Sequence, residues 1–341
     1  MAALQHAKVS NERIASELPT GLVAVFVGGT SGVGEYTVKA FARYASKPRV
    51  YLVGRSQEAA SRIVAECQRL NPGGYFEFIR ADIGALKSVD DVSRQLCAKE
   101  SAVNILFQSQ GSMGLNALTP DGFPLPFGLV MHSRIRFMLN LLPLLQNAMS
   151  LRRVVSVGCA TTEGGIDTTN ITGKGLPLMK WRNQMASIHT LLLEEVARRA
   201  PTVSFVHDVP GVVKSGIARD AQGIGMTIAL AISRLLGPLI ETPPDECAEM
   251  HVFFATSAAF PPASGNAKGV SLNGPVAVSK GSTGDVGSGV YTIDNKGNSA
   301  SHRVFDVLAK HRDNGTDKQV WDYVVADFKR ITGSETAHGL R

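Results

Sequence analysis

The stretch VFVGGTSGVG (residues 25–34) joins the end of a predicted strand to the start of a predicted helix through a turn that contains Gly28, Gly32 and Gly34. Glycines let the backbone of such a turn adopt unusual angles and approach a pyrophosphate closely. The N-terminus of the following helix attracts the phosphate charge. Strand, turn, helix and second strand follow in the order that this mechanism requires, so the stretch predicts a dinucleotide-binding turn.

Short β-branched runs alternate with longer helical patterns on both sides of this turn. The runs are residues 22–27, 49–53, 76–79, 103–107, 154–157, 203–206 and 289–293. The helical patterns are residues 35–44, 57–70, 88–98, 128–145, 183–199 and 246–256. Because parallel strands need crossover helices, this alternation predicts an α/β fold, a Rossmann-type doubly wound sheet of seven parallel strands flanked by helices in a single domain.

The composition is that of a globular protein with a sizeable core. Of the 341 residues, 44% are hydrophobic and 19% are charged, which excludes disordered, collagen-like and small disulfide-rich chains. We expect an N-terminal extension at residues 1–20, a nucleotide-binding domain at 21–300 and a C-terminal helical extension at 301–341. Residues 260–288 are rich in Gly, Ser and Pro and are interpreted as an insertion within the domain.

The charge pattern argues against a nucleic-acid partner. Lys and Arg number 35 against 29 Asp and Glu, a net charge of +6, but the basic residues occur as scattered pairs rather than a stripe. We interpret the excess as a pocket for an anionic small molecule. The four cysteines show no metal-ligand spacing, so we predict no metal site and free thiols in a reducing compartment.

The apolar segments predict a cytoplasmic protein without a transmembrane segment. The N-terminus has no apolar core of signal-peptide length, and the longest apolar stretch, residues 226–240, is interrupted by Arg234. We interpret this stretch as an amphipathic helix packed on the body. The alternatives are a lid over a hydrophobic substrate and a contact with a membrane surface.

Three motifs resemble the short-chain dehydrogenase/reductase family, and the resemblance extends from about residue 21 to residue 294. They are the glycine turn, Asp82-Ile83 after the third strand, and PGVVKS (residues 210–215) after the sixth strand. In the family, the second motif lies beside the adenine and the third lies along the nicotinamide side. The resemblance implies cofactor contacts from Gly28, Thr30, Ser31, Gly32, Val33, Gly34, Arg55, Asp82, Ile83, Gln110, Gly111, Pro210, Gly211, Val213 and Ser215.

The residues after the second strand, Gly54-Arg55-Ser56, indicate which dinucleotide the resemblance implies. An acidic residue at this place would bind the ribose 2′-hydroxyl of NAD. Arg55 instead suits the 2′-phosphate of NADP, with help from Ser31. We therefore expect NADP(H), the alternative being that Arg55 is a solvated surface residue.

The catalytic half departs from the family pattern. The family uses Ser, Tyr and Lys for proton transfer, the last two as YxxxK, but none of the six tyrosines here has a lysine four residues later. The resemblance aligns Cys159 with the serine, and it brings Arg182 near the tyrosine position and Ala186 near the lysine position. The family's NNAG segment is replaced by QSQG (residues 108–111), which keeps only the glycine.

Four residues remain as catalytic candidates near the expected cleft. Arg182 would stabilise an oxyanion, Cys159 would be a weak donor or a nucleophile, and His189 and His132 would be acid/base groups. The alternatives are packed core histidines and an inert buried thiol. Glu163 or Asp167 is a further candidate general base. Ser133, Arg134 and Arg136 are expected on a helix surface or in a subunit contact, the alternative being a substrate clamp.

The chain more loosely resembles divergent fungal members of the family that are associated with secondary metabolism. The segments that carry this looser resemblance are LVMHSRIRFMLNLLPLL, VVSVGCATTEGGID and FVHDVPGVVKSG. The resemblance implies an atypical NADPH-dependent reductase of a carbonyl or enone in a hydrophobic substrate. Two alternatives stay open: a redox-silent cyclase, isomerase or dehydratase, and a non-enzymatic NADP sensor. Family members often form dimers or tetramers, so a homo-oligomer is also open, with no interface assigned.

Overall fold

The β-branched runs form seven parallel strands in the computed structural model, which describes residues 2–217, 219 and 241–337. The sheet order is β3-β2-β1-β4-β5-β6-β7, so the direction of winding reverses between β1 and β4. The predicted doubly wound parallel sheet is thereby confirmed. The strands are β1 (Val23–Val27), β2 (Arg49–Gly54), β3 (Tyr75–Arg80), β4 (Ile105–Gln108), β5 (Arg153–Val157), β6 (Ser204–Asp208) and β7 (Val290–Ile293).

Helices cover both faces of the sheet because its strands are apolar on both sides. Val25 of β1 packs with the helices α5, α7, α8 and α11, whereas its neighbour Phe26 packs with α3, α4 and α9. The helices are α1 (Ala2–Glu12), α2 (Ile14–Glu17), α3 (Gly32–Tyr44), α4 (Gln57–Leu70), α5 (Leu86–Lys99), α6 (Leu125–Phe127), α7 (Arg134–Asn147), α8 (Leu178–Arg199), α9 (Pro244–Thr256), α10 (His302–Asp313) and α11 (Thr316–Thr332).

The helix predicted at residues 128–145 is not continuous. It begins at α6, continues as a π-helical turn over Gly128–Ser133 and only then becomes α7. A π turn contains more residues than an α turn, so side chains on its two sides do not follow one α-helical face. The expectation of a surface position for Ser133, Arg134 and Arg136 is wrong, because these residues are 1%, 2% and 0% exposed.

Both terminal segments pack on the sheet layers. In the N-terminal segment, Asn11 of α1 donates a hydrogen bond of 2.7 Å to the Glu249 carboxylate of α9. The hydroxyl of Tyr44 donates to the other oxygen of that carboxylate at 2.8 Å. The two helices predicted in the C-terminal tail are present as α10 and α11, and α11 packs against α5 and α8.

The Gly/Ser/Pro-rich insertion at residues 260–288 contains neither a helix nor a strand, and an isolated bridge pairs Lys280 with Val286. The apolar stretch at residues 226–240, for which a packed amphipathic helix was predicted, lies outside the described residues. Within the part of the chain that the structure describes, no helix is both long enough and apolar enough to cross a membrane.

Candidate active site

A cleft of about 460 Å³ lies at the carboxyl ends of the strands, at the point where the winding reverses. Open α/β sheets bind ligands at this position. Two of its lining residues, Gly28 and Gln110, follow the central strands β1 and β4. All predicted cofactor contacts except Gly32 and Gly34 line it, namely Gly28, Thr30, Ser31, Val33, Arg55, Asp82, Ile83, Gln110, Gly111, Pro210, Gly211, Val213 and Ser215.

The glycine turn packs directly on the segment that follows β4. Gly28 has a φ of +82°, and a Cβ atom there would lie 2.6 Å from the backbone nitrogen of Gln110. A Cβ atom on Gly34 would lie 2.6 Å from Oγ of Ser109. Such approaches exclude any larger residue at either position. Gly34 therefore lets the turn pack closely on this segment, although it does not line the cleft.

Gly32 does not line the cleft but allows the glycine turn to pack closely on a second loop. A Cβ atom on Gly32 would lie 2.5 Å from Cβ of Ser215, in the loop that follows β6. Its φ of +56° also favours glycine. The loop is anchored nearby, because the hydroxyl of Tyr36 donates a hydrogen bond of 2.9 Å to the carbonyl of Lys214.

Arg55 extends the cleft beyond the end of β2. Its side chain is exposed and makes no ion pair with another described residue. The neighbouring Ser56 caps α4, accepting a hydrogen bond of 3.2 Å from the Ala59 nitrogen. On the same side Asp82 accepts a bond of 3.1 Å from the Gly84 nitrogen. A free guanidinium here is available for an anionic ligand group.

Gln110 is the strongest sign that a polar ligand belongs in the cleft. The residue is 6% exposed, yet neither its amide nitrogen nor its amide oxygen has a partner among the described residues. A buried, unpartnered amide is costly unless a ligand or a water supplies the missing hydrogen bonds. With the glycine turn and Arg55, Gln110 fits a nicotinamide dinucleotide, whose ribose hydroxyls donate and accept hydrogen bonds and whose phosphates accept them.

Cys159 and Arg182 both line the cleft. The Cys159 thiol lies 3.5 Å from the backbone carbonyl of Arg182 and donates to it. Burial raises the pKa of Cys159 to about 12, so the thiol stays protonated and is a poor nucleophile. Ala186, at the lysine position, is buried in the core, and no described tyrosine lines the cleft.

His132 was a candidate acid/base group, but in the described structure it is not part of the cleft lining. Its ring stacks on Phe123 at 3.9 Å between centroids, and its Nε2 lies 3.0 Å from the Asp327 carboxylate of α11. Burial lowers its pKa despite the carboxylate. The π turn directs this side chain towards α11, where it packs as a core residue.

His189 also lies outside the described lining, and the residue that it contacts, Ser156, does not line the cleft either. It is fully buried, and its Nε2 is 2.7 Å from the Ser156 hydroxyl of β5. Burial, followed by the charges of His207 and Arg134, holds the pKa of His189 well below its usual range. A proton on this ring could reach the cleft only through Ser156 and the residue that Ser156 contacts.

That residue is Arg134, which the sequence interpretation placed on the surface. It lines the cleft, and its Nη1 donates to Ser156 Oγ at 2.8 Å and to the Val157 carbonyl at 2.6 Å. Its Nε donates to the Gln110 carbonyl at 3.2 Å. One signal in the sequence could have indicated that Arg134 is buried. The run LVMHSRIRFMLNLLPLL is so apolar that its helix has no polar face on which a charged residue could lie.

The two acidic candidates lie away from the described lining as well. Glu163 is fully buried, and its carboxylate accepts hydrogen bonds from Thr190 at 2.9 Å and Thr292 at 2.6 Å. Burial raises the pKa of Glu163. Asp167 is exposed and accepts from Thr169, which lowers its pKa. Glu163 therefore belongs to a buried network, and Asp167 to a surface turn.

The mouth of the cleft is apolar. Leu178, Met179 and Ile217 line it and are 45%, 58% and 46% exposed, respectively. Large apolar side chains clustered in this way mark a binding surface for an apolar partner or ligand.

Comparison with known proteins agrees with this geometry. The family model described as short chain dehydrogenase matches residues 22–141. The oxidoreductase AN1596 of Emericella nidulans is 34% identical over 95% of this chain and 97% of its own length. The oxidoreductase andH of Emericella variicolor is 32% identical over 98% and 99%. The solved RhlG/NADP active-site complex of Pseudomonas aeruginosa shares the fold, with a TM-score of 0.51 and 20% identity over 75% of this chain and 96% of that chain.

Proposed function

Because the chain belongs to the short-chain dehydrogenase/reductase superfamily, we propose that it is an atypical NADPH-dependent reductase of a carbonyl or enone group in an apolar substrate. The family supports a general oxidoreductase that binds a nicotinamide cofactor. The observation that carries the finer proposal is the cleft itself, which joins the glycine turn and Arg55 to the apolar side chains Leu178, Met179 and Ile217.

Separate parts of the lining would hold the parts of NADPH. The turn at Gly28 and the N-terminus of α3 would bind the pyrophosphate, and Arg55 with Ser31 would bind the 2′-phosphate. Asp82 would lie beside the adenine, and the amide of Gln110 would hydrogen-bond a ribose hydroxyl. The bound cofactor would supply a hydride to the substrate.

The residues near the reacting carbonyl differ in chemistry from a tyrosine and lysine pair. When a carbonyl carbon accepts a hydride, its oxygen becomes negative, and the Arg182 guanidinium at the cleft would stabilise that charge. Arginine holds its protons at neutral pH, so we assign the proton that completes the alcohol to water. Cys159, with its raised pKa, would act as a neutral neighbour.

Calorimetric titration with NADPH, NADP⁺ and NADH tests the cofactor half. We expect NADPH to bind at least about tenfold tighter than NADH, roughly 1.4 kcal/mol, and Arg55→Ala to remove this margin. Arg69→Ala is the matched control, because Arg69 is an exposed arginine of α4 that does not line the cleft. Absence of binding by all three nucleotides would contradict the proposal.

Isotope transfer tests the redox half. Protein is incubated with deuterium-labelled NADPH and a panel of apolar ketones and enones, and products are analysed by mass spectrometry. Deuterium on the product carbon is the expected result. Its absence for every compound, despite tight NADPH binding, would reject hydride transfer.

A redox-silent cyclase, isomerase or dehydratase is the second candidate, favoured by one observation. The described lining contains no tyrosine, and the lysine position is occupied by the buried Ala186. Such an enzyme would form its product at the same rate with NADP⁺ as with NADPH. Strict dependence on the reduced cofactor would exclude it.

A further inference from the structure

Three arginines are fully buried among the residues that the structure describes, and they differ in what surrounds them. Arg136 is neutralised by the Asp90 carboxylate, which it contacts twice at 2.7 and 2.8 Å. Arg153 donates to the carbonyls of Phe254 and Ser257 and does not line the cleft. Arg134 alone among these three lines the cleft, and no described carboxylate lies within ion-pair distance of it.

Arg134 keeps one donor for a ligand. A guanidinium carries five N–H groups. Nε and Nη2 both donate to the Gln110 carbonyl, and Nη1 donates to Ser156 and to Val157. The second N–H of Nη2 has no acceptor among the described residues. Nη2 would lie 3.8 Å from a Cβ atom on Gly111, and Gly111 itself lines the cleft, so the open N–H lies beside the space that this glycine leaves free.

The electrostatics at this point favour an anion. Burial lowers the pKa of Arg134 to about 10, which still leaves the group charged at neutral pH. The charge of the buried Asp208 offsets part of this effect, but that carboxylate pairs with Nε2 of His251 at 2.9 Å and does not contact Arg134. An ionised ligand oxygen in direct contact with Arg134 would relieve the remaining cost of burying the cation. The charged residues of the described lining are four arginines and one aspartate, namely Arg55, Arg134, Arg182, Arg219 and Asp82.

We infer that Arg134 binds an ionised oxygen of the organic ligand, so that the cleft selects apolar molecules that carry a carboxylate or an enolate. This inference rests on the proposed function only in taking this cleft as the substrate site. The apolar body of the ligand would lie against Leu178, Met179 and Ile217. Ser156 accepts a hydrogen bond from the guanidinium and contacts His189 behind it, and neither residue lines the cleft.

The test compares two ligands of one shape, trans-cinnamate and trans-cinnamamide, by calorimetric titration without nucleotide. Wild-type protein should bind the carboxylate at least about tenfold tighter than the amide, roughly 1.4 kcal/mol. Arg134→Met should remove this preference, and Arg134→Lys, which keeps a cation, should retain part of it. Arg55→Ala, Arg182→Met and Arg219→Met are the controls for the three other cations of the described lining and should retain the preference.

Two results would overturn the inference. One is equal binding of the two ligands by the wild type. The other is a preference that survives in Arg134→Met and disappears in Arg55→Ala, Arg182→Met or Arg219→Met. If Arg134→Met does not fold, wild-type protein labelled with ¹⁵N-arginine replaces it: cinnamate, but not cinnamamide, should shift the Arg134 side-chain resonance, assigned through Arg134→Lys.

These outcomes separate the inference from the proposed reductase activity. Deuterium transfer without carboxylate preference would leave the reductase standing and reject the Arg134 site. Carboxylate preference without deuterium transfer would leave the site standing and reject the reductase.

Discussion

The Ser156 hydroxyl oxygen lies 2.7 Å from Nε2 of His189, and both residues are fully buried. The same oxygen accepts a hydrogen bond of 2.8 Å from Arg134. A guanidinium only donates, and the Ser156 hydroxyl has no other acceptor among the described residues, so we assign its proton to the hydrogen bond with Nε2 of His189. His189 is therefore a neutral ring that accepts at Nε2 and carries its own proton on Nδ1, in keeping with its strongly lowered pKa.

Ser156→Ala should lower the free energy of unfolding by about 1–3 kcal/mol, because Nε2 of His189 would remain buried without a donor. Urea unfolding at neutral pH measures the change. Ser204→Ala is the control: Ser204 is equally buried on the next strand but donates only to the Phe260 carbonyl, at 2.8 Å. We expect a smaller loss there, and a loss as large as that of Ser156→Ala would contradict the assignment.

Acid should destabilise the protein through His207. Burial, followed by the charge of Arg134, lowers the pKa of His207 from 6.5 to about 3. The folded state then holds a neutral ring where the unfolded chain takes up a proton. The stabilisation is complete above pH 6.5 and is lost as the pH falls towards 3, by up to about 1.4 kcal/mol per pH unit.

Urea unfolding between pH 7 and pH 4.5 measures this slope. His207→Gln should be less stable at pH 7 but should lose less stability on acidification than the wild type does. His302→Gln, at an exposed histidine, should keep the wild-type slope. An unchanged slope in His207→Gln would show that another group carries the acid sensitivity.

Gly28→Ala should abolish nucleotide binding. The new Cβ would lie 2.6 Å from the Gln110 nitrogen, and the φ of +82° is strained for alanine, so the turn must move away from the end of β4. NADPH titration and thermal unfolding measure the two effects. Gly165→Ala is the matched control, because its Cβ would meet no atom within 4 Å. Equal behaviour of the two variants would argue against a tight turn.

Cys159 should react slowly with iodoacetamide. With a pKa of about 12, about one thiol in ten thousand is ionised at pH 8, so alkylation should be about a thousandfold slower than for an unperturbed cysteine. Peptide mapping by mass spectrometry follows the label at this position, and protein unfolded in guanidinium provides the reference rate. Fast labelling in the folded protein would restore the nucleophile hypothesis.

Local patterns were sufficient to predict the sheet and to predict which residues meet at its carboxyl edge. The glycine turn, Arg55 and Asp82 are each defined by their position after a strand, and the carboxyl ends of parallel strands meet at one edge. Knowing the strands therefore predicts which residues come together, and the cleft lining contains all three of these features.

The catalytic candidates could not be predicted in this way. Whether a helical side chain reaches the cleft depends on the direction in which its helix face points. His132 and His189 lie on helices near the expected cleft, yet the first packs against α11 and the second behind Ser156.

What the sequence by itself determined is the position of the seven strands along the chain and the glycine turn, since both follow from short-range periodicity and backbone sterics. What only the tertiary structure decided is the burial of Arg134 and its contacts with Gln110, Ser156 and Val157. A π turn precedes Arg134, and its extra residue changes the helix face that meets the cleft. These contacts join α7 to the ends of two strands, and such long-range contacts leave no periodic pattern in the sequence.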